Sequence, residues 1–357
     1  MVRVLALTRW PRSAASSRQR FLAFTNYLAS QGIEVTARPF FDEAYIAGVN
    51  SGARINGLEL LSHYRQRLQE LRKRGRYDVL WVEKEALPQL PYRIEAMLLR
   101  GSKVLLDLDD AWHLRTRASP LRRLLADKMQ RLSRLADALT VANAALRDWV
   151  IESGVAREKV TLAPTGLDIS RYDPAPEPEG PFTLGWIGGP FTTEYLESIQ
   201  TPLRRLSSEG VRLLVVGEDR ALEKLAGVTI EQHPWSEATE AKLVARCHVG
   251  ISPLQHDGWS RFKSGYKLIQ YMAAGRPAVA SPIGANREVV LAEQTGLFAT
   301  NDEEWYSQIN RLREDAALRR RLGRQGRLRC EEKFSIEVLG KNLSELMLRV
   351  AGKDAGA

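Results

Sequence analysis

The feature that most constrains this chain is an alternation of strand and helix that runs its whole length and breaks once. Short apolar runs suited to buried strands recur at residues 2–8, 34–40, 78–83, 103–108, 137–142 and 159–163. A second series follows at 183–187, 211–216, 228–231, 249–252, 278–281 and 296–299. Strands separated by helices cannot pair as hairpins, so each series predicts a parallel sheet covered on both faces. Between the series, residues 164–181 carry Pro164, Pro174, Pro176, Pro178 and Pro181, the composition of a linker. The expected class is α/β. An N-terminal domain spans 1–165, a linker 166–181 and a C-terminal domain 182–334, each domain a doubly wound sheet, with a cleft between them. A chain of 357 residues supplies two full cores.

Helices are expected at 17–30, 58–74, 88–99, 120–136 and 144–153 in the first series. In the second they are expected at 192–208, 219–226 and 236–246, then over 302–332 and 335–350. Residues 42–57, rich in Gly and Asn, read as an irregular loop. Ligands of doubly wound sheets sit at the carboxyl ends of strands, which singles out the loops at 9–20, 83–88 and 109–118 in the first domain.

Within the second domain, residues 251–290 read as strand end, polar loop, helix, glycine stop, strand, glycine turn and helix. Arg261, Lys263 and Lys267 crowd the start of the helix near 266. A helix N-terminus favours acids, and two lysines four apart repel by about 0.2–0.5 kcal/mol. A bound anion reverses both penalties, so the pattern points to an anion site. The domain opens with Gly185-Trp186-Ile187-Gly188-Gly189-Pro190, followed by Thr192 and Thr193. That loop either cradles a phosphate with backbone N–H groups or is a tight turn with a threonine cap. It is not G-x-G-x-x-G, so the dinucleotide fingerprint is absent. Trp235 either stacks a base or plugs the domain. Gly284, Asn286, Arg287 and Glu288 form a turn into a helix. Its Glu either complements the helix dipole or accepts from a sugar hydroxyl.

In the first domain, Asp107, Asp109 and Asp110 end the strand at 103–108. Clustered carboxylates there can act as a base, orient a sugar hydroxyl or hold a metal. His113 is near enough to pair with one of them. Arg18 and Arg20 either cap an anion or solvate a helix. A basic amphipathic run holds Arg115, Arg117, Arg122, Arg123, Lys128, Arg131 and Arg134, with Leu121, Leu124, Leu125, Met129 and Leu132 on its apolar side. It lies either on an anionic bilayer or on the sheet.

Composition trims the remaining classes. The net charge of +9 favours anionic partners. No apolar run reaches 18 residues, and 2–8 reads as a first strand rather than a leader. Cys247 and Cys330 form neither a disulfide nor a metal pattern, and the five histidines hold no metal-ligand pair, which suits a reducing cytoplasm and no bound metal.

The run PLQHDGWSRFKSGYKLIQYMAAGRPAVASPIGANREVV resembles the nucleotide-sugar region of the group 1, glycogen-synthase-like, retaining GT-B glycosyltransferases. PTGLDISRYDP at the linker and EEKFS before the final helix support it. YDVLWVEKEALPQLPYRIEAML and KVLLDLDDAWH are similar to a bacterial surface-polysaccharide branch. The resemblance implies two Rossmann-like domains, with a nucleotide-diphosphate sugar on the second and an acceptor facing the first. It also implies a final helix, 335–351, returning to the first domain.

On this reading Lys263 and Lys267 neutralise the diphosphate, and Asp109 and Asp110 complete the catalytic set. Gly188, Gly189, Thr192, Thr193, Trp235, Gln270, Gly284, Asn286, Arg287 and Glu288 line the donor, and Arg18, Arg20 and His113 the acceptor side. Two glutamates eight apart, common in the family, are Phe262 and Gln270 here. Many members place a His where Asp109 and Asp110 stand, which leaves the base open.

The implied activity is hexosyl or deoxyhexosyl transfer from a nucleotide sugar to a glycan or lipid-linked acceptor in polysaccharide or lipopolysaccharide biosynthesis. No cofactor, metal or nucleic acid takes part. The expected setting is the cytoplasm, with peripheral contact at the inner face of an anionic membrane. Two other readings stand beside it: a nucleotide-sugar epimerase, and a non-catalytic binder of nucleotide sugar or nucleic acid.

Overall fold

The computed structural model describes residues 1–50, 57–114, 125–173, 176–189, 192–217 and 220–353. It divides into two compact units, Met1–Gly166 with Ile336–Ala357, and Leu167–Ser335.

The first unit holds strands β1 (Val2–Thr8), β2 (Ile33–Pro39), β3 (Val79–Glu83), β4 (Val104–Leu108), β5 (Ala138–Val141) and β6 (Val160–Leu162). They form one parallel sheet in the order β2-β1-β3-β4-β5-β6. Every residue of β3, β4 and β5 is buried, because helices cover both faces of a parallel sheet. The helix Ile336–Val350 packs on this unit. Its Ile336, Leu339, Leu343, Leu346, Met347 and Val350 share one core with Phe24, Leu28 and Trp81. Those positions recur every three or four residues, one face of a helix.

The second unit holds β7 (Thr183–Ile187), β8 (Arg212–Val216), β9 (Ile230–His233), β10 (Val249–Ser252), β11 (Ala278–Ala280) and β12 (Gly296–Phe298). Their order is β12-β11-β10-β7-β8-β9, again all parallel. From β7 the chain winds outward through β8 and β9, then returns to the other side of β7 for β10 to β12. The β7/β10 boundary is therefore the topological switch point, and the β1/β3 boundary plays that part in the first unit.

Four expectations need correction. Residues 42–57, expected as a loop, contain the helix Glu43–Asn50. The Asp42 carboxylate accepts from the Tyr45 N–H at 2.8 Å, and Tyr45 stacks on Phe41 at 4.0 Å, so a side-chain cap and an aromatic contact start the helix. The helix expected over 17–30 is broken at Phe21 (φ −124°) into Ala15–Arg20, the single turn Leu22–Phe24 and Thr25–Ser30. The helix over 192–208 is likewise split into Glu194–Glu197 and Gln200–Ser208.

The segment read as a linker packs on the second unit. Tyr172 is buried in that unit's core, and Arg319 grips both oxygens of Glu177 at 2.6 and 2.9 Å. Its Pro174 lies outside the described residues, as do Pro190, Phe191 and the Arg115, Arg117, Leu121, Arg122, Arg123 and Leu124 part of the basic run. The described remainder of that run forms the helix Lys128–Leu135, with Leu125, Met129 and Leu132 buried. Among the described residues no helix is long and apolar enough to cross a membrane.

Candidate functional site

In the second unit, the loops that leave β7 and β10 carry the expected anion ligands. The helix Tyr266–Ala273 starts behind Gly265, whose φ of +67° is left-handed and suits glycine. Its first turn holds Lys267, and Lys263 lies just before it. The Lys267 ammonium sits 4.4 Å from the centre of the Trp186 ring, on β7. The Lys263 ammonium sits 4.4 Å from the Tyr195 ring. Aromatic faces seat both cations.

Tyr195 is itself fixed, accepting from Ser260 Oγ at 3.2 Å and donating to Asp257 at 3.4 Å. Lys267 is half-buried, and no described carboxylate pairs with it. Burial, with the Lys263 charge adding to it, pulls its ammonium down to about 7.

The glycine loop closes over Trp186. A Cβ on Gly188 would lie 2.3 Å from the indole Cη2 and 2.6 Å from Thr192 Oγ1, so only glycine fits there without a shift. Thr192 donates both its N–H and its hydroxyl to the Gly189 carbonyl, at 2.9 and 3.0 Å. Thr193 is buried and makes no side-chain cap, so the expected threonine cap is a turn made by Thr192 instead. Across the sheet edge, Gly284 takes a φ of +52° where its turn abuts the Arg261 carbonyl. Asn286 is buried and donates to the Ser281 carbonyl at 2.9 Å, latching that turn shut. Arg287 is exposed and donates to the Pro282 carbonyl. Glu288 is half-buried in the short helix Asn286–Val289, and its carbonyl accepts from Arg329.

Gln270 and Trp235 belong to one internal hydrogen-bond network. Gln270 is buried and donates to the Tyr172 hydroxyl at 3.1 Å. Tyr172 donates to Glu240 Oε1 at 2.6 Å, and the Trp235 indole N–H donates to Glu240 Oε2 at 2.5 Å. The amide expected to line the donor and the ring expected to stack a base or plug the domain are the two ends of one internal chain. Phe262 is buried as well, so a position that carries charge in many relatives is core here.

In the first unit, the loops after β1, β3 and β4 enclose a packed set of charges. Asp107 is not an exposed carboxylate. Arg20 holds it at 2.5 and 3.0 Å, Thr140 donates to it at 2.5 Å, and the same guanidinium donates to the Ala163 carbonyl. Arg20, expected on the acceptor side, is thus a buried structural partner. Arg18 is buried too and donates to the Arg12 and Ser13 carbonyls, shaping the loop after β1. His113 stacks on Trp149, with centroids 4.1 Å apart.

Asp109 remains partly exposed and accepts from Ser16 Oγ at 2.6 Å, with Lys84 Nζ 2.7 Å away. Burial pushes its carboxyl up, but the Lys84 ammonium, the Ser16 hydroxyl and the Arg20 charge together hold it below its ordinary value. Asp110 is the more exposed of the two, 3.5 Å from the same ammonium.

Sequence reading missed Lys84 and Glu85. Lys84 is buried with a left-handed φ of +62°, a conformation that costs a non-glycine residue energy and clusters at functional sites. Glu85 is buried among Arg9 at 2.7 Å, Lys128 at 2.6 Å and the Trp112 indole at 2.9 Å. Lys128 also reaches Glu95 at 2.9 Å, which turns this cation of the basic run inward. The available signal was the Glu83-Lys84-Glu85 triplet, three charges in a row at the carboxyl end of an otherwise apolar strand.

Two doubly wound sheets, each with polar side chains gathered at its switch point, define the GT-B glycosyltransferase fold. Solved structures of this fold resemble the chain along nearly its whole length. Anabaena HepE, solved with UDP and glucose, is 14% identical over 98% of this chain and 100% of its own, with a TM-score of 0.71. The sucrose-phosphate synthase of Thermosynechococcus elongatus is 15% identical over 99% and 100%, also at 0.71. WaaG, a glycosyltransferase involved in lipopolysaccharide biosynthesis, is 12% identical over 97% and 99%, at 0.69. At such identities the likeness is one of fold, and no curated protein matches the chain. Residues 1–166 match the family model described as "Glycosyl transferase 4-like domain", and residues 192–315 the one described as "Glycosyl transferases group 1". The chain belongs to the GT-B glycosyltransferases.

Proposed function

We propose that this chain transfers a hexosyl or deoxyhexosyl group from a nucleotide-diphosphate sugar to a glycan or lipid-linked acceptor, with retention of anomeric configuration, in bacterial polysaccharide or lipopolysaccharide biosynthesis. The observation that carries the donor half is the lysine pair at the β7/β10 switch point. Lys267 rests on Trp186 and Lys263 on Tyr195, and Lys267 has its ammonium held down to about 7. A diphosphate beside them supplies the negative charge that Lys267 lacks among the described residues. When the sugar–oxygen bond breaks, the bonding pair leaves with the nucleoside diphosphate. The lysines then stabilise a charge that is largest after cleavage, a differential effect that lowers the barrier. On this reading the two ammonium groups fill the part a divalent metal would otherwise take.

Asp109 and Asp110 are assigned to the acceptor hydroxyl. With its carboxyl held below the ordinary value by Lys84, Asp109 suits accepting a hydrogen bond better than removing a proton. The likeness to HepE, solved with UDP-glucose, and to WaaG supports the donor class and the pathway.

The test is release of nucleoside diphosphate and transfer of labelled sugar, with donors first ranked by a thermal-shift screen of UDP, GDP, dTDP and their sugars. Lys263→Ala should lower turnover by about 10²–10³-fold, the usual size of a lost charge-stabilising group, with an unchanged melting temperature. Transfer at the wild-type rate would refute the assignment.

A further inference from the structure

The second unit holds a cavity of about 650 Å³ at the edge of its sheet opposite the lysine pair. His248 and Pro277, which immediately precede β10 and β11, line it, so it lies at the amino ends of the strands. Its volume is that of a small-molecule site. Five arginines and only two glutamates line it, an excess of positive charge in one concavity. Most come from one face of the helix Ala316–Lys333.

The two carboxylates are already engaged. Glu177 is held bidentately by Arg319 at 2.6 and 2.9 Å, and Glu331 accepts from Arg327 at 2.6 Å. Three cations then lack a full partner. Arg276 is buried, donates through Nη2 to the Pro176 and Ala245 carbonyls at 2.8 Å, and has a buried Nε–H with no acceptor. Arg320 reaches only the outer oxygen of Glu177, at 3.5 Å. Arg324 is exposed and makes no ion pair or hydrogen bond among the described residues. Arg320 and Arg324 are four apart on a helix, where like charges repel. A fold that needed only this helix gains nothing from that arrangement.

We propose that this cavity binds a multivalent phosphate-bearing anion, at a site separate from the donor site. Guanidinium groups match phosphate geometry in bidentate fashion, and several converging arginines select for more than one anionic group. Such an anion reaches the cavity either as a free polyphosphate or as the headgroup of an anionic lipid.

The probes are inorganic tripolyphosphate, followed by calorimetry, and vesicles containing cardiolipin, whose headgroup carries two phosphates, followed by co-sedimentation, both with the full chain. Arg320→Ala combined with Arg324→Ala removes two exposed side chains and should leave the melting temperature unchanged. It is expected to weaken one tripolyphosphate site at least tenfold, while Lys263→Ala leaves that site intact. Arginine-dependent binding of tripolyphosphate alone identifies a free-phosphate site. Arginine-dependent sedimentation with vesicles identifies the lipid headgroup. Loss of all tripolyphosphate binding in Lys263→Ala without arginine-dependent vesicle binding overturns the proposal. So does an arginine double variant that binds both probes like the wild type.

Discussion

Lys267 and Trp186 face each other at 4.4 Å across the β7/β10 boundary, a cation on an aromatic ring with no described acid beside it. Burial lowers the lysine's ammonium to about 7. In the unfolded chain the same group titrates near its ordinary 10.5, so between about 7 and 10.5 the unfolded state binds the extra proton. The contribution of Lys267 to stability therefore rises with pH across that window, and its full cost is present below it. A bound diphosphate restores the charge. Nucleoside diphosphate binding should take up a proton above pH 7 and weaken by about tenfold per pH unit there. Calorimetry in buffers of differing ionisation enthalpy measures this, and Lys267→Met should abolish the proton uptake.

Gly188→Ala tests the floor of the same site. The added methyl collides with the Trp186 indole at 2.3 and 2.4 Å. Overpacking of this kind costs about 1–3 kcal/mol, and here it displaces the ring under Lys267. Urea denaturation should show the loss of stability, and donor affinity should fall with it.

Arg20 and Asp107 form a buried pair of the first unit. Asp107→Leu alone leaves a buried guanidinium uncompensated and should cost about 3–5 kcal/mol. Adding Arg20→Met should recover much of that loss, since a buried pair replaced by apolar groups is often close to neutral. A double-mutant cycle on denaturant midpoints checks both statements. Equal losses in the single and double variants would remove the pair from its structural role.

Gln270 stands where many relatives carry a glutamate, so Gln270→Glu looks like a restoration. The Tyr172 hydroxyl beside it already donates to Glu240, and one phenol cannot satisfy two carboxylates. Gln270→Glu should lower stability by about 1–3 kcal/mol, the cost of an unsatisfied buried acceptor, and Glu240→Gln in the same chain should offset it.

Acid should weaken the first unit through Asp109. Burial raises its carboxyl, but Lys84, helped by Ser16 and Arg20, brings it below its ordinary value. The stability it contributes is therefore present above the ordinary carboxylate range and lost as pH falls through the lowered value. Lys84→Met removes the compensating charge and should shift acid unfolding to higher pH, which a pH titration followed by circular dichroism would record.

The strands were legible because buried parallel strands are nearly continuous apolar runs, and the regions expected for all twelve are strands in the fold. The lysines were legible because their charge contradicts the helix they open. The helix at Glu43–Asn50 was not, since its cap is a single Asp and its packing partner, Phe41, lies just outside the pattern. The hydrogen-bond partners of Gln270 and Trp235 were not legible for a different reason. Their partners, Tyr172 and Glu240, are brought to them by tertiary folding, and Tyr172 comes from a segment whose prolines resemble a tether. Lys84 carries no local mark of its left-handed backbone.

The helix Ile336–Val350 has a consequence for how the molecule is made. The first 166 residues leave the ribosome early, yet six side chains of their core lie on a helix synthesised after the entire second unit. The second unit is contiguous in the chain and can close as it emerges. The first must wait, with the Trp81 side of its sheet uncovered, until the helix Ile336–Val350 has been made. A chain stopped after Ser335 should accordingly bind a hydrophobic dye and be cut by protease within 1–166 while 167–335 resists. Of the two units, the one begun first is the last to be sealed.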